Sequence, residues 1–501
     1  MNHFYSFSAA LILTLILFLV SNISLASSGE DGGIANVLSN YEHQQKAVGI
    51  KLDWSDFIPP PVPDGQNFAL NAIMIQGLER NKSGKPGGQL DMTSTYDDDY
   101  PTNGGWLRGE MIDLKAWQNY YRRESSITNL FPVPIESGNP GEDVLFALQI
   151  YSTNLEILRA GSKLPYSRFP LDYNAPYPFM IALPHLAPLE HCTKMLGLRA
   201  CAELNVSKTQ DAFADVELML KLTDSMKVES FIISQLVRSA MMRATLQPVW
   251  EGLSEHRWSD AQLSQLQTDL RQFNFLKDCQ NALGGEQAAF LTTVNKLSKN
   301  EDFAAFTNFL AEVGDVKADS NSYLRLWRLM PKGWWLTNEL YFATECQEDG
   351  LPSIHSNEGR IYAYHLKNLE RNLNVETNGD DLALAKRALL IFTYYPPKFA
   401  FIQSMVDLAT VDIALERYRL AHGNYPHTLI DLCPIFLNAD KIPREIMTGN
   451  SLHYQLISHN HFKLFSAGWN ETDNEAEVMY SSANNVDHKQ GNWVWPETNK
   501  K

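Results

Sequence analysis

The sequence predicts a mainly α protein, with a helical body followed by a small C-terminal α+β module. Three observations predict it. Apolar residues recur at the helical period from about residue 139 onward, the pair Pro396-Pro397 interrupts that period, and two short strand-like runs follow Gly423. The 501 residues exceed what one core needs. Hydrophobic residues at 44% against 20% charged is the balance of a folded chain, which excludes wholesale disorder.

Residues 1–26 read as a signal peptide or an uncleaved membrane anchor. Ala9 to Val20 is a twelve-residue run with the length of a secretory h-region, and Ser24-Leu25-Ala26 places small residues where a signal peptidase reads them. The run is short for a spanning helix, which takes about 20 apolar residues. No Lys or Arg precedes it, since the first cation is Lys46. Either reading exports the remainder. The expected location is therefore periplasmic, or anchored and facing the extracytoplasmic side, with membrane contact only through this segment.

Residues 27–135 read as an irregular Pro/Gly-rich region. Ile58-Pro-Pro-Pro-Val-Pro-Asp64 is barred from helix and central strand by its four prolines, and reads as an extended surface connector. A short apolar helix is expected over Phe68–Leu78. Tyr96-Asp-Asp-Asp-Tyr100 lacks the alternating ligands and turn glycine of a calcium loop, and reads as a solvated acidic loop.

Residues 136–395 read as an α-helical domain. Ile233, Leu236, Val237, Ala240, Met241 and Ala244 form one apolar stripe. Ser259-Asp-Ala-Gln262 has the spacing of a capping box, opening a helix that buries Leu263, Leu266 and Leu270. Leu186–Leu204 and Asp211–Lys227 form a helix pair with a faint likeness to a tetratricopeptide unit. Only one such unit is found, so the body is solenoid-like without a demonstrated repeat. Further helices are expected at Phe303–Val313, Trp334–Ala343 and His355–Leu373. Cys192 and Cys201, nine apart on a helix, point to opposite sides and do not pair; with Cys279 they read as buried free thiols.

Residues 396–501 read as a separate α+β module. A helix over Lys398–His422 stops at Gly423, a turn surrounds Leu429 and Leu432, and strands cover Ser451–Ser458 and His461–Ser466. A polar loop, Gly468 to Glu475, precedes the aromatic terminus Trp493-Val-Trp495.

Charge and motifs narrow the function. The 58 acidic residues against 42 Lys+Arg give a net charge of −16, which excludes nucleic acid as the main partner. No zinc-protease, nucleotide-loop, dinucleotide, nucleophile-elbow or C-x-x-C motif occurs. His185, Glu190 and His191, and again His355, Glu358 and His365, offer metal-ligand chemistry but read better as structural groups. Trp327, Trp334 and Trp335 near Glu339 and Glu345 offer a sugar platform with two carboxylates; large core anchors are the preferred reading. Asn470, Asp473, Asn474 and Glu475 form the one metal candidate, because hard oxygen ligands in a loop suit calcium. A structural Ca²⁺ there is the only cofactor expected.

Three segments carry a resemblance. Lys51–Ala69 with Trp106-Leu-Arg-Gly-Glu110, then Ser167–Tyr173 leading to Leu183-Pro-His-Leu-Ala-Pro188, then Ala414–Pro426 with Phe465–Asn470, resemble a family of uncharacterised exported bacterial proteins. The third segment is also similar to the soluble part of type II secretion pseudopilins. Tyr418, Gly423, Tyr425, Pro426, Leu429 and Leu432 match the helix-to-turn pattern, and Ser466-Ala467-Gly468 the start of the loop. The sequence departs where Pro443–Gly449 replaces an Asp-Pro before a glycine, and where the acidic loop lacks its glycines. The helix also lies about four hundred residues from the N-terminal segment, so filament assembly does not follow from the resemblance. The function expected is a protein-interaction or scaffold role in an exported or envelope-anchored protein, with other envelope proteins as partners. The alternative is an exported hydrolase or lyase acting on polysaccharide from a helical scaffold.

Overall fold

The computed structural model describes residues 31–75, 101, 104–299, 301–302, 304–306, 330–374, 382–459, 461–472, 475–482 and 485–497. The leader segment 1–26, the acidic loop 96–100, Trp327 and most of the helix expected at Phe303–Val313 lie outside them. Among the described residues, helices account for 62% and strands for 9%, which is mainly α with small sheets in the C-terminal region and one short hairpin before it.

The N-terminal region is more regular than its prolines suggest. Helix α1 (Asp31–Ala47) touches the body through the Tyr41 hydroxyl, which donates to the Ala343 carbonyl at 2.9 Å. Helix α2 (Leu114–Thr128) starts at Asp113, whose carboxylate accepts from the Ala116 N–H. It buries Trp117, Tyr120 and Tyr121, which stack with Phe131 into an aromatic wedge. Thus 27–135 is not irregular throughout. Buried aromatics at i, i+3 and i+4 set the helical period there, and the polar residues between them masked it. The Pro-rich segment does run extended: Ile58 and Pro63 have polyproline-like dihedrals, and Arg168 donates to the Pro59 carbonyl at 3.0 Å. Phe68–Leu70 is a single 3-10 turn, followed by helical residues 72–75.

The body continues with α3 (Pro140–Ala147), α4 (Ser152–Gly161), α5 (Leu186–Asn205), α6 (Thr209–Asp224), α7 (Ile232–Ser254), α8 (Asp260–Leu270) and α9 (Phe275–Ser298). Ser259 and Gln262 close the capping box that opens α8. Helix α7 packs against α5, α6 and α9 and is enclosed almost all round. Of its expected apolar stripe only Val237 and Met241 are fully buried, while Ser234, Gln235, Arg238 and Thr245 are buried too. A helix at the centre of a body cannot keep a wet face, so its polar side chains find partners inside. Arg238 donates to the Thr223 carbonyl at 2.9 Å and pairs with Asp278, while Gln235 donates to the carbonyls of Met226 and Glu229. Gly285 on α9 is required sterically, because the Ser230 carbonyl fills the space a side chain would need. Cys192, Cys201, Cys279 and Cys346 are buried free thiols and Cys433 is a half-buried one.

Helix α10 (Lys332–Glu345) ends in a π-helical turn at Cys346–Gly350. The helix expected from His355 begins later. Ile354–His355 (β1) and Arg360–Ile361 (β2) form a hairpin that turns at Gly359 with φ +66°, and α11 covers Ala363–Asn374. A glycine free to adopt positive φ is the signal that overrides the helical period here. Helix α12 (Ala383–Tyr394) stops before the proline pair, which sits at the start of α13 (Pro396–His422). Gly423 ends α13 with φ +82°. Strands β3 (His453–Ser458), β4 (His461–Ser466) and β7 (Trp493–Trp495) form an antiparallel sheet in the order β3-β4-β7. A second hairpin, β5 (Val478–Ser482) with β6 (Asn485–Gly491), was not expected from the sequence.

Helix α13 joins the two parts. It packs on α7, α8 and α9 and also on β4, β6 and β7, and is buried from Phe399 through Glu416 on most of its surface. The C-terminal strand completes the contact. Trp495 packs against Trp106 with ring centroids 5.1 Å apart and donates to Asp412 at 2.7 Å, while Trp250 donates to the Pro496 carbonyl at 2.8 Å.

Candidate functional site

A cleft of about 610 Å³ opens at the seam between body and C-terminal module. Four separate segments line it: the α8–α9 turn, the β1–β2 turn, one face of α13, and the loop 441–449. Each is held by a specific bond. Gln403 on α13 accepts from the Phe275 N–H at 2.8 Å and donates to Asp407 at 3.0 Å, tying α13 to the start of α9. Arg271 donates to the Lys441 carbonyl at 3.2 Å, Arg360 to the Met447 carbonyl at 2.8 Å, and Arg444 to the Gly449 carbonyl at 3.2 Å. Gly449 has φ +74°, and a Cβ there would lie 2.8 Å from an Arg360 guanidinium nitrogen, so the arginine lies across the loop only because glycine is there.

The electrostatics of the cleft run against the net charge of the chain. Arg271, Arg360, Lys441 and Arg444 converge on it in a protein of net charge −16. Its acids are Asp407, Glu358 and Glu445. Glu445 is buried and accepts from the Ala467 N–H at 2.7 Å, with His453 at 3.3 Å; Glu358 accepts from the Tyr362 hydroxyl at 2.8 Å. Asp407 lies on the cleft wall with protein around the rest of its side chain. Burial pushes its pKa from 3.8 up to about 7, against the pull of the Gln403 hydrogen bond and the Arg271 charge. An acid poised near neutrality in a cleft of this size is what general acid–base chemistry requires, and equally what a protonated hydrogen-bond donor to a ligand requires.

Residues singled out from the sequence fall elsewhere. Asn470 lies in the turn after β4, its side-chain oxygen accepting from the Thr472 N–H at 3.2 Å. Asp473 and Asn474 lie outside the described residues. Glu475 is exposed and lines a second hollow of about 490 Å³ with His453, Tyr454, Lys463 and Phe465. Among the described residues no three His, Cys, Asp or Glu side chains converge on a metal position. His185 precedes the first residue of α5 and is fully buried there: it stacks on Phe169 at 4.2 Å and lies 2.8 Å from the Glu229 carboxylate. Glu190 pairs with Lys194. His355 and Glu358 are 3.6 Å apart, and His365 pairs instead with Asp349 at 2.7 Å.

Trp334 and Trp335 are buried in the core in an edge-to-face pair. Burial raises Glu339 to about 8, with the Glu42 charge adding to the rise, while Glu345 accepts from Asn372 at 3.0 Å. Neither belongs to the cleft.

The cleft residues are distributed over 179 positions, so no spacing reveals them (449 minus 270). One signal was present. Asp407, Asp412 and Glu416 are the only charged residues from Phe399 to Glu416, and a charge inside such an apolar helix needs a partner or a purpose. No family model, curated protein or solved structure matches this chain.

Proposed function

We propose that this chain is an exported, envelope-facing binding protein whose C-terminal module, similar to the soluble part of pseudopilins, works as part of the body rather than as a tethered domain. The observation that carries the reading is the seam. The module is fixed to the body by Trp106, Trp250 and Trp495, and the cleft lies where the two meet. Exposed apolar residues on the module, Ile430, Ile435 and Ile457, support contact with other envelope proteins. The leader-like run of residues 1–26 supports export, and a Ca²⁺ held by Asn470, Asp473, Asn474 and Glu475 belongs to the same proposal. Fractionation of cells expressing the full chain tests export: recovery from the periplasm or membrane supports it, and recovery only from the cytosol overturns it. Photo-crosslinkers at Ile435 and Ile457 test the partner, with absence of any specific adduct counting against it. Calorimetric titration of the full chain with Ca²⁺ tests the ion, and no heat at millimolar levels removes it.

A second reading, a hydrolase or lyase acting on polysaccharide, draws on one observation: an acid near neutrality in a cleft. The buried positions of Trp334 and Trp335 lend no support to the sugar platform expected for it, and Trp327 lies outside the described residues. Release of reducing ends or unsaturated products from acidic polysaccharides, abolished by Asp407→Asn, would establish the enzyme.

A further inference from the structure

We propose that the cleft at the seam binds a small organic oxyanion, a molecule of one or two rings bearing a carboxylate or phosphate, through Arg271, Arg360, Lys441 and Arg444. This goes beyond the envelope-binding reading and stands even if that reading fails.

Convergence is the first argument. Four cations from three chain segments meet in one concavity of a strongly acidic protein, where mutual repulsion gains nothing for the fold. A concave wall with cations along it focuses a positive potential inward and draws anions against the global charge.

The second argument is donor capacity. A guanidinium carries five N–H donors in a rigid fork matched to carboxylate and phosphate oxygens. The bonds of Arg360 and Arg444 go to backbone carbonyls, which orient each fork without neutralising it. The Arg360 Nε is buried and has no hydrogen-bond partner among the described residues, and a buried donor left so costs about 1–3 kcal/mol until something accepts from it. Gly449 keeps the space beside that fork clear of a side chain.

The third argument is that the four cations of the cleft outnumber its three acids, whose oxygens are already engaged or partly protonated. Glu445 and Glu358 already accept hydrogen bonds from protein donors. Asp407 is held largely by burial at a pKa of about 7, so near neutrality it is partly a donor instead of a full negative charge. Phe273, Leu276 and Ile442 offer apolar surface for the body of the ligand. The volume lies within the range of roughly 300–1,000 Å³ typical of small-molecule sites, which favours a compact ligand over a macromolecule.

Isothermal titration of the full-length protein decides it, with digalacturonate, glucose 6-phosphate and maltose as carboxylate, phosphate and neutral probes. Binding of either anion without maltose is the expected result, and which anion binds identifies the chemical source. Lys441→Gln and Arg444→Gln should each weaken binding about tenfold, the loss of one charge-assisted hydrogen bond. The Lys441 variant removes a side chain that makes no hydrogen bond among the described residues, so its melting temperature should stay unchanged and exclude misfolding as the cause. No binding of either anion, equal binding of maltose, or unchanged affinity in both variants would overturn the proposal.

Discussion

Asp412 is a residue whose replacement should change stability visibly with pH. It is fully enclosed, accepts from the Trp495 indole at 2.7 Å, and is pushed by burial from 3.8 up to about 7. The Trp495 hydrogen bond and the nearby His256 pull the other way, while Glu416 adds to the rise. In the unfolded chain the carboxyl ionises near its ordinary value. Between about pH 4 and 7 the native state therefore holds a proton the unfolded state has lost, and raising pH through that window removes stability. A shift of about three pH units at 1.36 kcal/mol each sets a ceiling of about 4 kcal/mol. Asn at 412 keeps an oxygen for Trp495 and has no charge to bury. Asp412→Asn should match wild type at about pH 4 and exceed it by about 2–4 kcal/mol at about pH 8. Urea unfolding followed by tryptophan fluorescence across that range measures the gap. A gap that stays constant from about pH 5 to 8, or narrows, would refute the reasoning, because burial of a charge would then not be what Asp412 costs the fold.

Other consequences follow from particular contacts. Asn492 donates to the carbonyls of Ala467 and Thr472 and accepts from the Ala476 N–H, so Asn492→Ala should cost about 2–3 kcal/mol, read as a lower denaturation midpoint. Native protein treated with a thiol reagent should react quickly at Cys433 alone and at all five cysteines once unfolded, since burial raises the thiols of Cys192, Cys201, Cys279 and Cys346. Gly449→Ala places a Cβ against Arg360 at φ +74° and should cost about 1–2 kcal/mol, seen as a lower melting temperature.

Much of the local structure was legible because local chemistry sets it. The Ser259 capping box, the stop at Gly423 and the 3-10 turn at Leu429–Leu432 depend on residues within a few positions of each other. Where the reading failed, a distant or subtler term won. Helix α2 hid behind polar residues between its buried aromatics, and Gly359 converted the expected start of a helix into a hairpin. The polar face of α7 was buried by helices far along the chain, which no local period announces. The candidate site was least legible. Arg271, Arg360, Asp407 and Arg444 meet only after α13 brings the C-terminal loop onto the α8–α9 turn. The loop acids that attracted attention instead are adjacent in sequence, and adjacency is a poor guide to convergence.

The pairing of Trp106 with Trp495, 389 positions apart, has a consequence for the order of events in synthesis (495 minus 106). A chain emerging from the ribosome can give the Trp106 indole its Arg243 carbonyl at 2.9 Å, but cannot complete the packing on the Trp106 ring or satisfy the Trp250 indole until Trp495 and Pro496 have been made. Closure of the body therefore waits on β7, a dependence on sequence-distant contacts that slows folding. On the export reading proposed above, that delay is itself useful: the nascent chain stays threadable until β7 has been made. Truncation just before Trp493 should leave a species that never closes, measurable as persistent sensitivity to protease in pulse-chase translation.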